Sequence, residues 1–205
     1  MNPDLSPIIR WLEESRDFGF LGPGDLGIHV EQGRAFAGLV AEAPAGPVAD
    51  LGSGGGVPGL VIAALLADRA FLLVESSRRR SEFLRRAVEA LAWDGRVTVL
   101  EDRAEDVGRS AWRGCLAAVT ARGFGPPATT AECIAALLLP GGRGVVSDPP
   151  ELVAERWSGL VGSGLGLEPT SCRSGGFNFQ ILRPVAPCPD RFPRRVGVPA
   201  HRPLF

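Results

Sequence analysis

The chain has 205 residues, 45% of them hydrophobic and 22% charged, with a formal net charge of −1. That composition belongs to one ordinary globular domain, with or without a small extension, and it is long enough to bury a core without staples. The charge excludes a global field that would pull the protein onto nucleic acid, and the longest apolar run, Val57–Val74, is broken by Pro58, Gly59, Asp68 and Arg69 and falls short of a membrane span.

Cys115, Cys133, Cys172 and Cys188 form no C-x-x-C pair and have no clustered His, so free buried thiols in a reducing cytoplasm and no metal site are expected. The N-terminal stretch MNPDLSPIIRWLEE lacks a signal-peptide pattern, and a cytoplasmic, monomeric protein is expected. All basic residues are Arg. Coding bias and selection for planar forks that bind phosphate or carboxylate both account for that.

Pro3–Arg16 has the spacing of an amphipathic helix, with Ile8, Ile9, Trp11 and Leu12 towards one side. Residues 18–27 form a Gly/Pro-rich loop, and Ile28–Ala43 a second helix ended by Pro44 and Gly46. Up to residue 47 three Arg face seven acids. Strands and helices then alternate. Strands are expected at Val48–Leu51, Ala70–Glu75, Val97–Glu101, Leu116–Ala121 and Gly144–Ser147, with helices at Pro58–Ala67, Arg78–Ala92 and Thr129–Leu139. This alternation implies a doubly wound, mostly parallel sheet with helices on both faces. A helix over Glu151–Val161 and two strand-like runs, Leu165–Ser171 and Phe177–Val185, joined through Ser174-Gly175-Gly176, close the sheet with an antiparallel strand. The expected organisation is a helical extension over 1–46, the α/β domain over 47–186, and an Arg/Pro-rich surface tail over 187–205.

The chemistry centres on VADLGSGGGVPG, residues 48–59. A strand ends at Asp50-Leu51, glycines fill the turn, and a helix follows. Gly52, Gly54 and Gly56 remove Cβ atoms where a ligand approaches backbone and permit positive φ; the helix start offers free N–H groups. Glu75 ends the next strand, where a carboxylate can accept both hydroxyls of a ribose. The loop is not the G-x-G-x-x-G dinucleotide fingerprint, and no G-K-[ST] follows. Asp50 beside the glycines suits a ligand carrying an ammonium group, as methionine does. These features point to an S-adenosylmethionine-dependent methyltransferase.

DLGSGGGVPGLVIA resembles the glycine loop of the RsmG (GidB) family, which methylates N7 of a guanine in small-subunit ribosomal RNA using S-adenosyl-L-methionine. VESSRRRSEFLRRAVEAL, EDRAEDV, VTARGFGPPATTAECIAALLLPGG and FPRRVGVPAHRPL resemble, in order, that family's second strand and helix, its R-x-E segment, its fourth strand and its C-terminal tail. The resemblance implies a seven-stranded Rossmann-like sheet and cofactor contacts at Gly52, Val57, Ala104, Glu105 and Arg122. It places Glu105 beside the adenine and Arg122, as the catalytic candidate, at the mouth of the methyl-transfer pocket. It also implies 16S ribosomal RNA or the small subunit as partner. Arg191, Arg194, Arg195 and Arg202 in the tail are the candidate RNA contacts, while Arg78, Arg79, Arg80, Arg85 and Arg86 on one helix are either further contacts or a solvated helix face. There are departures. GFLGPGDLG stands where the family has Asn-Leu-Thr, leaving His29 as the match to its His-containing helix. Ser147-Asp148-Pro149-Pro150 stands where Lys-Gly is usual, which sets an acid beside the substrate cleft. A methyltransferase for a small metabolite or a protein, or a non-catalytic cofactor-binding homologue, is therefore kept as an alternative.

Overall fold

Strands of four to eleven residues build one sheet in the computed structural model, which describes residues 3–22, 24–150 and 154–205. Its strands are β1 (Val48–Leu51), β2 (Phe71–Val74), β3 (Val97–Leu100), β4 (Leu116–Ala121), β5 (Leu138–Asp148), β6 (Leu167–Ser174) and β7 (Phe177–Pro184). The helices are α1 (Ser6–Asp17), α2 (Leu26–Ala41), α3 (Gly59–Leu65), α4 (Arg78–Ala90), α5 (Ala104–Val107), α6 (Pro127–Leu137) and α7 (Val198–His201). The strand order is β3-β2-β1-β4-β5-β7-β6, parallel except for β7, which runs antiparallel to both neighbours.

Side chains of a strand alternate between faces, and here each face has its own core. Val48, Phe71, Leu73, Val97, Ala118 and Val145 pack under α1–α4. Ala49, Leu51, Leu72, Val74, Val119 and Val146 pack against α5, α6 and the tail. Asp50 falls by parity on the α1–α4 side. On that side Gly33 of α2 lies so close to α3 that a Cβ would stand 2.6 Å from Val61. Ile8, Leu12 and Ser15 are the buried residues of α1; Ile9 is 37% exposed, so the inward stripe is narrower than the sequence suggests.

Two segments differ from expectation. Of the helix expected over Glu151–Val161, residues 151–153 lie outside the described residues, and the remainder forms short 3-10 turns at Ala154–Trp157 and Val161–Ser163. Gly159, Gly162 and Gly164 lower helix propensity there, and Gly164 takes φ +76°. The tail is not a surface appendage. Phe192 and Pro199 are buried, and α7 lies against α6.

Candidate functional site

In open α/β sheets ligands bind beyond the carboxyl ends of the strands, at the point where strand order reverses. Here that point lies between β1 and β4. The loop leaving β1 is shaped by positive φ at Gly52 (+68°), Gly54 (+53°) and Gly56 (+96°). The N–H groups of Gly52 and Ser53 both donate to the Val74 carbonyl, at 2.9 and 3.1 Å, which ties the loop to the end of β2. Gly55 serves packing: a Cβ there would overlap Ser15 Oγ of α1.

At the tip of β2, Glu75 is 2% exposed. Its carboxylate accepts the Gly54 N–H at 3.0 Å, the Ser77 N–H at 2.8 Å and Arg80 Nη2 at 2.9 Å. A cavity of about 580 Å³ opens beside it, walled by Gly52, Gly54, Glu75, Ala104, Glu105 and Phe124. Its far wall comes from the tail, through Val196, Gly197, Ala200 and His201. The Gly197 N–H donates to Glu105 Oε1 at 3.1 Å, joining tail and α5 across the rim.

The tail is held there by side chains of α6 and of the segment that follows α5. Glu132 of α6, fully buried, accepts the Arg194 backbone N–H at 2.6 Å and its guanidinium fork at 2.7–3.1 Å. Arg109 Nε donates to the Pro193 carbonyl and Thr129 Oγ1 to the Pro199 carbonyl. Arg113 donates to the carbonyls of Phe192, Cys188 and Pro189.

Of the residues singled out from sequence, Gly52, Gly54, Glu75, Ala104 and Glu105 meet at this cavity, whereas Asp50, Gly56, Val57 and Arg122 do not line it. Asp50 lies behind the loop, with Oδ1 accepting the Thr120 hydroxyl at 2.7 Å and Oδ2 buried without a hydrogen-bond partner. Burial pushes its carboxyl up to about 6, against the opposing pull of Thr120 and Ser53. Arg122 turns towards α2, where Nη2 donates to His29 Nδ1 at 2.9 Å. Arginine has only donors, so Nδ1 accepts and the ring proton sits on Nε2. Burial first, then the charge of Arg122, lowers the His29 pKa and keeps the ring neutral.

The arginines proposed for RNA separate into spent and free. On α4, Arg78 pairs with Glu82, Arg80 with Glu75, Arg85 with Glu101 and Arg86 with Glu14, while Arg79 lies over the Phe20 ring. In the tail Arg191 lies over Phe192, and Arg195 and Arg202 are exposed. Arg194 departs from the sequence expectation in that its fork is spent on Glu132. Sequence reasoning missed Phe124 and, in the tail, Val196, Gly197, Ala200 and His201 of the cavity wall, although the tail motif FPRRVGVPAHRPL was the available signal for the latter.

The acid at the end of β5 is also accounted for. Asp148 accepts Arg156 Nη1 at 3.0 Å, and the Trp157 indole N–H lies 3.2 Å from both carboxylate oxygens. It therefore adds no free negative charge to the cleft. Among the described residues no group of His, Cys, Asp and Glu is arranged to hold a metal ion, and no helix is long and apolar enough to cross a membrane.

The family model GidB, described as rRNA small subunit methyltransferase G, matches residues 35–147. A ribosomal RNA small subunit methyltransferase G from Rubrobacter xylanophilus is 37% identical over 172 residues, covering 78% of this chain and 66% of that protein. The protein of the same name from Chloroflexus aggregans is 36% identical over 165 residues, covering 76% of this chain and 68% of that protein. The chain thus spans about two thirds of the length of these relatives. Among solved structures, a methyltransferase from Geobacter sulfurreducens superposes with a TM-score of 0.66 at 14% identity, covering 89% of this chain and 93% of that one. That likeness shows a shared methyltransferase fold.

Proposed function

We propose, from the premise that the chain belongs to the GidB family, that it transfers the methyl group of S-adenosylmethionine to N7 of a guanine in 16S ribosomal RNA, acting as a monomer in the cytoplasm. The observation that carries this is the continuity of two spaces. The cavity beside Glu75 and a cleft of about 280 Å³ over the ends of β4 and β5 share Gly123 and Phe124 as a wall.

The residues present fit the cofactor. Gly54 leaves open the space a Cβ would take, with only the Gly52 carbonyl oxygen within 4 Å, at 3.6 Å. Glu75 presents a buried carboxylate for ribose hydroxyls, and Ala104 and Glu105 flank the place of the adenine. Asp50, with one oxygen unpartnered behind the loop, contributes negative charge on the side of the methionine ammonium. When bound, S-adenosylmethionine supplies an electrophilic methyl group on sulfur.

Guanine N7 carries an in-plane lone pair and no proton, so its methylation needs no general base. The protein's work is to hold N7 in line with the methyl group, about 3 Å away, and to exclude water. Phe124, packed over Gly52 at the shared wall, is placed to set that approach. Arg122 holds His29 and contributes positioning and field from outside the cavity. The alternative of a small-metabolite or protein substrate rested on Asp148, and the pairing with Arg156 and Trp157 removes much of its weight. The test is methyl transfer from labelled cofactor to unmodified small subunits, followed by mass spectrometry of the nucleosides. Incorporation as 7-methylguanosine is expected; a protein that binds cofactor yet modifies no ribosomal RNA overturns the proposal.

A further inference from the structure

The cleft over β4 and β5 does not end at the place of the target base. Gln32 and Asp148 line both it and a third hollow of about 450 Å³ beside the turn at Gly175-Gly176. Three hollows sharing walls in pairs therefore run along the carboxyl edge of the sheet, from the glycine loop to the β6–β7 turn. Two arginines line the far part of this groove. Arg156, 30% exposed, is held by Nη1 on Asp148 and has no other hydrogen bond among the described residues. Arg173, exposed, forms no ion pair among the described residues. The only acid lining the second and third hollows among the described residues is Asp148. It is 9% exposed, and the indole of Trp157 sits astride both of its oxygens, so no open bidentate face is left for a ligand.

These observations change the sense of the acid. A free carboxylate at this place would repel phosphate. A carboxylate neutralised by Arg156 instead fixes a long, rotatable cation in one orientation, with Nε and Nη2 left to make further bonds. The groove is then a neutral-to-positive path beside the methyl donor, whereas the more numerous arginines of α4 are mostly paired.

We propose that this groove is the path of the RNA strand next to the target nucleotide, with one flanking phosphodiester on Arg156, positioned by Asp148, and a further one on Arg173. The proposal rests on the ribosomal RNA reading above. Its test uses the full chain with small subunits or 16S RNA, measuring KM for RNA across a salt series and the cofactor Kd by calorimetry. Arg156→Gln and Arg173→Gln should each raise KM for RNA about tenfold and flatten the log–log salt slope by about one unit, with cofactor Kd unchanged. Arg85→Gln on α4 should change neither.

Asp148→Asn decides the sign. Removing a negative charge from an RNA-binding cleft would by itself lower KM; losing the positioning of Arg156 raises it. We expect a rise, no further rise when Asp148→Asn is added to Arg156→Gln, and recovery with Asp148→Glu. A lower KM in Asp148→Asn, or unmoved KM and slope in both arginine variants, overturns the groove assignment while methyl transfer by the wild type continues. A wild type that transfers nothing to ribosomal RNA overturns the underlying function, and the groove assignment with it.

Discussion

Replacing Arg194 by Ala tests which face of the molecule the tail serves. Glu132 is fully buried and takes the Arg194 fork at 2.7–3.1 Å. The substitution leaves that carboxylate with the backbone N–H alone. Stranding one partner of a buried pair costs about 3–5 kcal/mol. For a chain of this size each kcal/mol moves the melting temperature about 2–4 °C, so a fall of roughly 6–20 °C is expected in scanning calorimetry. Part of that loss is local. Gly197, three residues on, clamps Glu105 across the cavity rim, so affinity for S-adenosylhomocysteine should fall at least about tenfold, equivalent to about 1.4 kcal/mol. The RNA salt slope should not change. Exchanging both partners for apolar residues, Glu132→Leu with Arg194→Met, strands no charge and should recover most of the stability. An Arg194→Ala protein that melts within a degree or two of the wild type, binds cofactor normally and shows a flatter salt slope would refute this reasoning and restore Arg194 as a phosphate contact.

Gly54→Val should leave the protein folded, at a cost of about 1–3 kcal/mol for a β-branched residue at φ +53°, and abolish cofactor binding, because the new side chain enters the cavity; calorimetric titration with normal affinity would show the loop to be only a turn. Asp50→Asn should stabilise the protein at pH 7.5. The folded chain holds the Asp50 proton up to about pH 6 and the unfolded chain releases it near 3.8. Stability therefore falls as pH rises through that window, by at most about 3 kcal/mol. Urea midpoints of variant and wild type should differ more at pH 7.5 than at pH 4.5, and an equal difference at both would contradict the buried-charge argument.

What could be read from sequence was what neighbours in sequence decide. β1, the glycine turn, α3 and the acid ending β2 lie within 28 residues, and their spacing carries the geometry directly. The tail could not be read that way. Arg194 and Glu132 are 62 positions apart, and nothing in PRR announces that one guanidinium is buried against a helix while its neighbour is exposed. The same distance hides which α4 arginines are paired, since Glu14 reaches Arg86 across 72 positions. Asp148 shows the converse: its partners Arg156 and Trp157 are close in sequence, but they reach it from a 3-10 turn where the sequence pattern predicts a helix.

The placement of β1 beside β4 also bears on the order in which the molecule assembles. Asp50 and Thr120 touch although they stand 70 positions apart in the chain, and the segment between them holds β2, α4 and β3. Closing so long a loop is slow compared with forming a local helix or a neighbouring strand pair. We therefore expect the crevice between β1 and β4 to form late in folding, so that a partly folded chain offers the ligand only an unsupported glycine turn. Cofactor added during refolding should leave the folding rate unchanged and slow unfolding instead, acting as a lock on the finished molecule rather than as a template for it.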